Sequence, residues 1–259
     1  MRARLRVWWD SPVQQIFPTY RQLEPGDLVA AYEYPADIRW VRANMVTSLD
    51  GAAQGWNGRS GTLSSPADKD VFAMLRALAD VILVGAGTAR VEKYGPAEPQ
   101  PEYAAHRRAL GQRPTPPIAV VSARLELDPR GPLFSGVGEP TLVLTAEHAP
   151  EDRLAELAEL AEVIVVGEDR VDLSRALDAL VERGHNRVLC EGGPLLLGQL
   201  VAAGLLDELC LTFAPLLRGG GADRALNGPT GSDVPMRLAH ILEEDNNLIS
   251  RWTRADHSA

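Results

Sequence analysis

The sequence predicts an α/β fold with a mostly parallel central sheet. Short runs of β-branched and aliphatic residues alternate with longer stretches of helical apolar spacing, and this alternation is typical of βαβ units. Each apolar run ends in a small or hydroxyl-bearing residue, so the carboxyl ends of the strands are expected to meet at one edge of the sheet. The helical stretches also carry end signals, such as Ser65 before Pro66 at the first helix and Gly184 and Gly204 after two later ones.

The predicted elements follow in order along one domain. Strands are expected at residues 40–49, 80–88, 117–122, 140–145, 162–167, 187–190 and 208–217, and helices at 65–79, 151–161, 172–184 and 194–204. An antiparallel hairpin is predicted over 240–254, with its turn at Asp245-Asn246-Asn247. The strand at 80–88 should run into a glycine-rich loop, and the proline-rich stretch 93–117 should form a long loop over the sheet edge.

Composition argues against several classes of function. The chain of 259 residues has a formal net charge of -9 and a pI of about 5.1, so it lacks the basic footprint of a nucleic-acid-binding protein. It has no apolar run of membrane-spanning length and no signal-peptide pattern, which favours a cytoplasmic protein without a membrane role. Cys190 and Cys210 lie in apolar runs and are expected to be buried and reduced. Five histidines lack ligand spacing, so no metal is predicted and each is expected at the surface or in a loop: His106, His148, His185, His240 and His257.

The stretch "VLCEGGPLLLGQL" places a carboxylate and two glycines between a strand and a helix. Gly192 and Gly193 let the backbone turn sharply beside a ligand, and Pro194 favours the first turn of the helix. A helix N-terminus with bare N–H groups binds anions. The alternative is a tight turn that binds nothing.

Other strand ends suggest a dinucleotide at the same sheet edge. "ILVGAGTA" brings Gly85, Gly87 and Thr88 after a buried strand, and Gly167 closes a later strand. In "AVVSAR", Ser122 and Arg124 would suit a 2′-phosphate, because Arg offers fork-like donors. The alternative for Arg124 is a solvated surface charge.

The stretch "NMVTSLDGAAQ" is more polar than a buried strand should be. Its polar side chains need a ligand or neighbouring backbone to satisfy them. Asn44 and Ser48 are therefore candidate substrate-binding residues, although Asp50-Gly51 could simply form a turn.

"NMVTSLDGAAQ", "GRSGTLSSPADKDVFAMLRALADVILVGAGTA" and "EGGPLLLGQLVAAGLLDELCLTFAPLL" together resemble the reductase domain of the riboflavin-biosynthesis deaminase-reductase. The order and spacing match over most of residues 40–217. The resemblance implies a dihydrofolate reductase-like, three-layer α/β/α fold over residues 39–256, preceded by an N-terminal extension at 1–38. Neither the H-x-E nor the P-C-x-x-C signature of the family's zinc deaminase domain occurs, so deamination is excluded.

The resemblance also implies a homodimer that uses NADPH to reduce a pyrimidine-linked ribosylamine. Carried over by position, the substrate contacts fall on Ser60, Arg76 and Glu191. The cofactor contacts fall on Val46, Thr62, Thr88, Glu92 and the turn from Gly193 to Gln199, including Pro194, Leu195 and Leu196. Thr62 replaces a Trp of the family.

One departure from the family leaves the substrate open. The loop after Thr88 reads "RVEKYGPAEPQ", where the riboflavin enzymes read roughly D-D-P-x-L-T-x-R, and the missing Arg puts a phosphorylated ribosyl substrate in doubt. Asp68, three residues after Ser65, either caps its helix or faces the pocket, and the helix N-terminus is expected to keep it ionised.

Three functions therefore remain open. The first is the riboflavin-type reductase, in which positioning does most of the catalysis and Asp68 or Glu191 delivers the proton. The second is a pteridine or dihydrofolate reductase, in which Asp68 pairs with the pterin, an analogy of fold only. The third is a nucleotide-binding sensor without a substrate pocket.

Overall fold

An eleven-stranded sheet organises the part of the chain that the structure describes. The structure is a computed structural model that describes residues 13–228 and 233–256. The strands are β1 (Gln14–Phe17), β2 (Arg21–Gln22), β3 (Trp40–Ser48), β4 (Val81–Gly85), β5 (Ile118–Val121), β6 (Leu142–Thr145), β7 (Glu162–Val165), β8 (Arg187–Cys190), β9 (Glu208–Ala214), β10 (Met236–Glu244) and β11 (Asn247–Arg254).

The sheet has a parallel and an antiparallel part. Its strand order is β2-β1-β10-β11-β9-β3-β8-β4-β5-β6-β7. The strands from β9 to β7 pair in parallel, whereas β11, β10, β1 and β2 pair antiparallel. The predicted parallel sheet with a C-terminal hairpin is confirmed, and positive φ angles at Asp245 and Asn246 make the hairpin turn.

Helices cover both faces of the sheet. They are α1 (Pro25–Ala31), α2 (Pro66–Leu78), α3 (Ala86–Val91), α4 (Ala104–Ala109), α5 (Glu151–Ala158), α6 (Leu173–Val181) and α7 (Pro194–Ala202). Apolar residues of α1, α2 and α5 pack in one core cluster, and those of α6 and α7 pack in another. These layers confirm the three-layer α/β/α fold. Across the described residues, no helix is both long and apolar enough to cross a membrane.

Two predicted loops are helical instead. The glycine-rich loop after β4 does not form, because β4 ends at Gly85 and α3 begins at the next residue, burying Ala86 and Ala89. The stretch 93–117 contains a 3₁₀ turn and α4, held by Arg107, whose guanidinium donates to the Ala77 and Ala79 carbonyls at the C-terminal end of α2. In both places tertiary burial and hydrogen bonding outweigh weak local preference.

The described part of the predicted N-terminal extension belongs to the same sheet. β1 pairs with β10, and Leu28 and Tyr32 of the α1 segment are buried in the core. Residues 1–12 lie outside the described residues. The described segment before residue 39 therefore packs directly against the rest of the fold.

The core contains titratable side chains, and two of them are histidines that the sequence pattern placed at the surface or in loops. Cys190 and Cys210 are free and buried, as expected. His240, however, is buried on β10 against the Tyr32 ring, which corrects its expected surface or loop position, and burial lowers its pKa to about 4. His185 follows a helix but is also buried. His257 lies outside the described residues.

Candidate active site

A large cleft opens at the carboxyl ends of β3, β8 and β4. Its volume is about 1130 Å³, which exceeds the usual range of about 300–1,000 Å³ for a single small-molecule pocket. The walls come from α2, α3, the segment at 93–100 and the turn into α7. Strand order reverses where β8 lies between β3 and β4, and ligands of open α/β sheets bind at such a reversal.

The Gly192-Gly193 turn forms one side of the cleft. Gly192 has a positive φ of 83°, and its carbonyl accepts a hydrogen bond of 2.8 Å from the Gly85 N–H. Gly193 precedes α7, where Pro194 takes the first position. A Cβ atom on Gly193 would lie 2.3 Å from Thr88 Oγ1, so a larger residue here would displace Thr88, which also lines the cleft.

Glu191 has the partners that the sequence left open. Arg76 donates to both carboxylate oxygens, each at 2.7 Å, from Nε and Nη2. The Tyr94 hydroxyl donates to Oε2 at 2.5 Å. The Glu191 side chain is only 2 % exposed. Both of its oxygens are therefore engaged by donors from α2 and from the segment after α3.

The Glu191 carboxylate raises the pKa of both of its partners, Arg76 and Tyr94. Burial acts to lower the pKa of Arg76, but the adjacent Glu191 carboxylate outweighs burial and raises it. Burial and Glu191 both raise the pKa of Tyr94. Arg76 therefore stays charged and Tyr94 stays a hydrogen-bond donor across the physiological range.

Asp68 lies on the same helix as Arg76 and also faces the cleft. It is 4 % exposed and forms side-chain hydrogen bonds with Ser64 and Thr212. Burial raises the pKa of Asp68 more than these hydrogen bonds lower it. Burial therefore acts against the expected ionised state of Asp68, because desolvation favours the neutral carboxyl group.

The Glu92 carboxylate links two walls of the cleft. Glu92, at the end of α3, accepts hydrogen bonds from the Ser60 N–H at 2.9 Å and from the Ser60 hydroxyl at 3.0 Å. Both residues line the cleft. The 3₁₀ turn at 60–62 is thereby tied to α3.

Comparison with known proteins agrees with this geometry. The model of the RibD C-terminal domain family matches residues 39–250. The chain belongs to the RibD C-terminal domain family. The fold and the reductase class implied by the sequence resemblance are confirmed.

Relatives of known name cover most of the chain. A protein of Archaeoglobus fulgidus named 2,5-diamino-6-ribosylamino-4(3H)-pyrimidinone 5′-phosphate reductase is 32% identical over 70% of this chain and 82% of its own. One of the same name from Methanothermobacter thermautotrophicus is 31% identical over 83% of this chain and 97% of its own.

Solved structures show the same RibD-type architecture. A pyrimidine reductase-like protein of Corynebacterium diphtheriae superposes with a TM-score of 0.77 at 30% identity, covering 83% of this chain and 92% of that one. The Rib7 reductase of Saccharomyces cerevisiae superposes with a TM-score of 0.62, covering 87% of this chain and 94% of that one. At 16% identity, this similarity is one of fold.

Most of the predicted site residues of this RibD-type domain meet in the one cleft. Besides the residues already described, the cleft is lined by Asn44, Val46, Gly85, Gly87, Thr88, Pro194, Leu195 and Leu196. Their binding roles remain predictions. Gly192 lies behind this lining, where its carbonyl contacts Gly85.

Besides Gly192, five predicted residues do not line the cleft. Ser48 is engaged in a turn, since its hydroxyl bonds to Asp50 and accepts from the Ala52 N–H. Thr62 is exposed and bonds within its own 3₁₀ turn. The remaining three are Ser122, buried at the end of β5, Arg124, whose side chain is 85 % exposed, and Gly167, in a turn after the edge strand β7.

Sequence reasoning missed two further residues of the RibD-type cleft. Phe72 lies between Asp68 and Arg76 at helical spacing, and its ring contacts the Arg76 guanidinium at 4.4 Å. The i, i+4, i+8 spacing is a signal that could have identified it. Tyr94 had no such signal, because it lies in an irregular segment and reaches Glu191 only through the tertiary fold.

Proposed function

We propose that the chain is a reductase that uses NADPH to reduce 5-amino-6-(5-phosphoribosylamino)uracil or a related ribosylaminopyrimidine. The observation that supports this most strongly is the Gly192-Gly193 turn, which opens onto the same cleft as the buried Arg76–Glu191 pair. An open backbone surface suited to a pyrophosphate therefore lies beside polar groups that can orient a heterocycle. The names of the archaeal relatives support the same substrate class.

The cofactor would lie along the turn and α7. Bound NADPH supplies the hydride. Gly193, Pro194 and the first N–H groups of α7 would hold its pyrophosphate, and Thr88 and Val46 would line its path. This placement fits the structure, because Gly193, Pro194 and Thr88 all line the cleft and Gly193 adds no side chain to it.

The 2′-phosphate of the cofactor would lie near Arg124 and Ser122. Glu126 lies 3.9 Å from Arg124 and 3.8 Å from Arg90, which lines the cleft. Two guanidinium groups are thereby gathered around one carboxylate. Such a pair suits a phosphate, which offers oxygens in the same fork geometry.

The substrate would occupy the wall formed by α2. Arg76, fixed by Glu191 and supported by Phe72, would orient the pyrimidine ring together with Asn44 and Ser60. At the rim, Lys69 and Lys93 are exposed and form no ion pair within the described residues. They offer positive charge to a 5′-phosphate in place of the family's missing loop Arg.

Catalysis would depend chiefly on position. The cleft walls hold the reducible carbon against the nicotinamide, so that hydride transfer becomes effectively unimolecular. Apolar residues such as Val46 and Leu196 keep water from that contact. No side chain needs to form a covalent bond with the substrate.

We further propose a cytoplasmic homodimer whose reductase domain spans residues 39–256. Exposed apolar side chains gather on the loops after β3 and β9, where the Leu49 N–H donates to the Leu216 carbonyl. Trp56 is 79 % exposed and Leu217 is 77 % exposed. Exposed apolar groups of this size are typical of an interaction surface.

The test is a turnover assay with purified protein and NADPH. With the ribosylaminouracil phosphate, or with its 2,5-diaminopyrimidinone counterpart, we expect loss of nicotinamide absorbance, and NADH should be a poorer donor. No loss with either pyrimidine would contradict the proposal.

A dihydrofolate arm in the same assay tests the alternatives. Turnover with dihydrofolate alone would favour the pteridine reductase. NADPH binding without any turnover would favour the sensor. Steady turnover with a pyrimidine removes both.

A further inference from the structure

We propose that Asp68 is the acid that protonates the substrate nitrogen during the reduction. This inference rests on the proposed function. In the ring-opened substrate, the C1′=N carbon accepts the hydride of NADPH, and the π electrons move to the nitrogen. That nitrogen takes the carboxyl proton of Asp68, the cofactor is oxidised, and the Asp68 carboxylate regains its proton from water. The carbon is reduced by two electrons, and the product is a secondary amine.

The other acids of the cleft are unsuited to this role. Both oxygens of Glu191 are occupied by three hydrogen bonds from Arg76 and Tyr94. Glu92 accepts two hydrogen bonds from Ser60. Glu98 and Asp223 are exposed at the rim rather than enclosed beside the substrate wall.

Asp68 differs from all four in its surroundings. It is buried, faces the cleft, and has no ion pair within the described residues. The groups around it are the hydroxyls of Ser64 and of Thr212 on β9, and among the described residues the charged group that acts on it is the exposed Lys69. Burial therefore favours the protonated carboxyl group, which is the form that a proton donor needs.

Asp68 is also placed beside the substrate wall. It lies two helical turns before Arg76 on α2, with Phe72 between them. Residues at i, i+4 and i+8 share one helix face. An acid at one end of that face and a ring-orienting cation at the other suit a substrate that lies along α2.

The experiment compares Asp68→Asn with Asp68→Glu, and uses Glu151→Gln, an exposed acid on α5 outside the cleft lining, as the control. We expect Asp68→Asn to lower kcat by about 10²–10⁴-fold, the usual share of general acid catalysis, with little change in KM. The wild-type kcat should fall as pH rises through the pKa of Asp68, and this limb should be absent in Asp68→Asn. Asp68→Glu should restore part of kcat and the limb, and Glu151→Gln should match the wild type.

A second readout does not depend on turnover. In carboxyl ¹³C NMR of the free protein, one Asp resonance that is missing from Asp68→Asn should titrate above the ordinary Asp range. An Asp68 resonance that titrates in or below that range would overturn the proposal, as would an Asp68→Asn variant with wild-type kcat and pH profile. If the wild type turns over neither pyrimidine, the proposed function fails and this inference with it, whereas an active wild type with an equally active Asp68→Asn overturns this inference alone.

Discussion

At the scale of single residues, Gly193 shows how the absence of a side chain lets two cleft residues, Gly193 and Thr88, pack closely. Its φ of -75° is ordinary for any residue, so glycine is not needed for conformation. What matters is space, because a Cβ atom there would lie 2.3 Å from Thr88 Oγ1. Substitution of Gly193 therefore tests its contact with Thr88 rather than backbone strain.

We expect Gly193→Ala to weaken NADPH binding. The new Cβ must displace Thr88 or the turn, both of which are proposed cofactor contacts, so the Kd should rise, and each loss of about 1.4 kcal/mol of binding free energy raises it tenfold. Calorimetric titration with NADPH measures the effect. Gly26→Ala, an exposed helical position with no atom within 4 Å of the new Cβ, should bind like the wild type. A wild-type Kd for Gly193→Ala would place the dinucleotide elsewhere.

At the scale of elements, α2 carries much of the site. Asp68, Phe72 and Arg76 all project from it into the cleft. Its start is set by Ser65, whose hydroxyl accepts a hydrogen bond of 3.1 Å from the Asp68 N–H. The cap thus stabilises the helix and positions Asp68 at once.

We expect Ser65→Ala to lower the free energy of unfolding by about 1 kcal/mol, because an N–H of the first turn loses its acceptor. Urea unfolding followed by circular dichroism measures the loss. Ser65→Asn, which can accept the same bond, is the matched control and should stay near the wild type. Equal unfolding midpoints for Ser65→Ala and the wild type would show that this cap contributes nothing.

At the scale of the whole molecule, a buried ionic cluster joins the parallel and antiparallel parts of the sheet. Glu208 on β9 accepts from Arg42 on β3 at 2.5 Å and from Arg251 on β11 at 2.8 Å. The two guanidinium groups also donate to the carbonyls of Tyr32 and Ala31 at the end of α1. One carboxylate therefore ties the N-terminal segment to three strands.

This cluster predicts a specific acid lability. Burial acts to raise the pKa of Glu208, but Arg42 and Arg251 outweigh it and lower the pKa to about 2. Because the folded-state pKa lies below the unfolded value of about 4.3, the stabilisation is complete above that value and is lost as pH falls towards 2.

We expect Glu208→Gln to cost about 3–5 kcal/mol near neutral pH, because two buried cations lose their partner. The difference in unfolding free energy between wild type and variant should shrink as pH falls from about 5 to 2. Urea titrations at several pH values measure it. Glu162→Gln, in the exposed pair with Arg183, should cost at most about 1 kcal/mol. A pH-independent cost for Glu208→Gln would contradict the assigned pKa shift.

Local signals were sufficient for much of the architecture. The Ser65 cap, the Asp245-Asn246 turn and the parallel strands lie where the sequence predicts them. The site was predictable where a short-range rule applies, as at the turn from Glu191 to Pro194. It was not predictable at Tyr94, whose partner Glu191 lies 97 residues away.

The sequence by itself determined the alternating strands and helices, the sheet edge at which the site lies and the glycine turn, since periodicity and turn chemistry act over a few residues, and the resemblance to a known family supplied the three layers. Only the tertiary structure decided the state of the carboxylates. Glu191 is tied to Arg76 and Tyr94, whereas Asp68 is buried without a cation. The physical reason is that desolvation and ion pairing depend on which distant segments pack around a group.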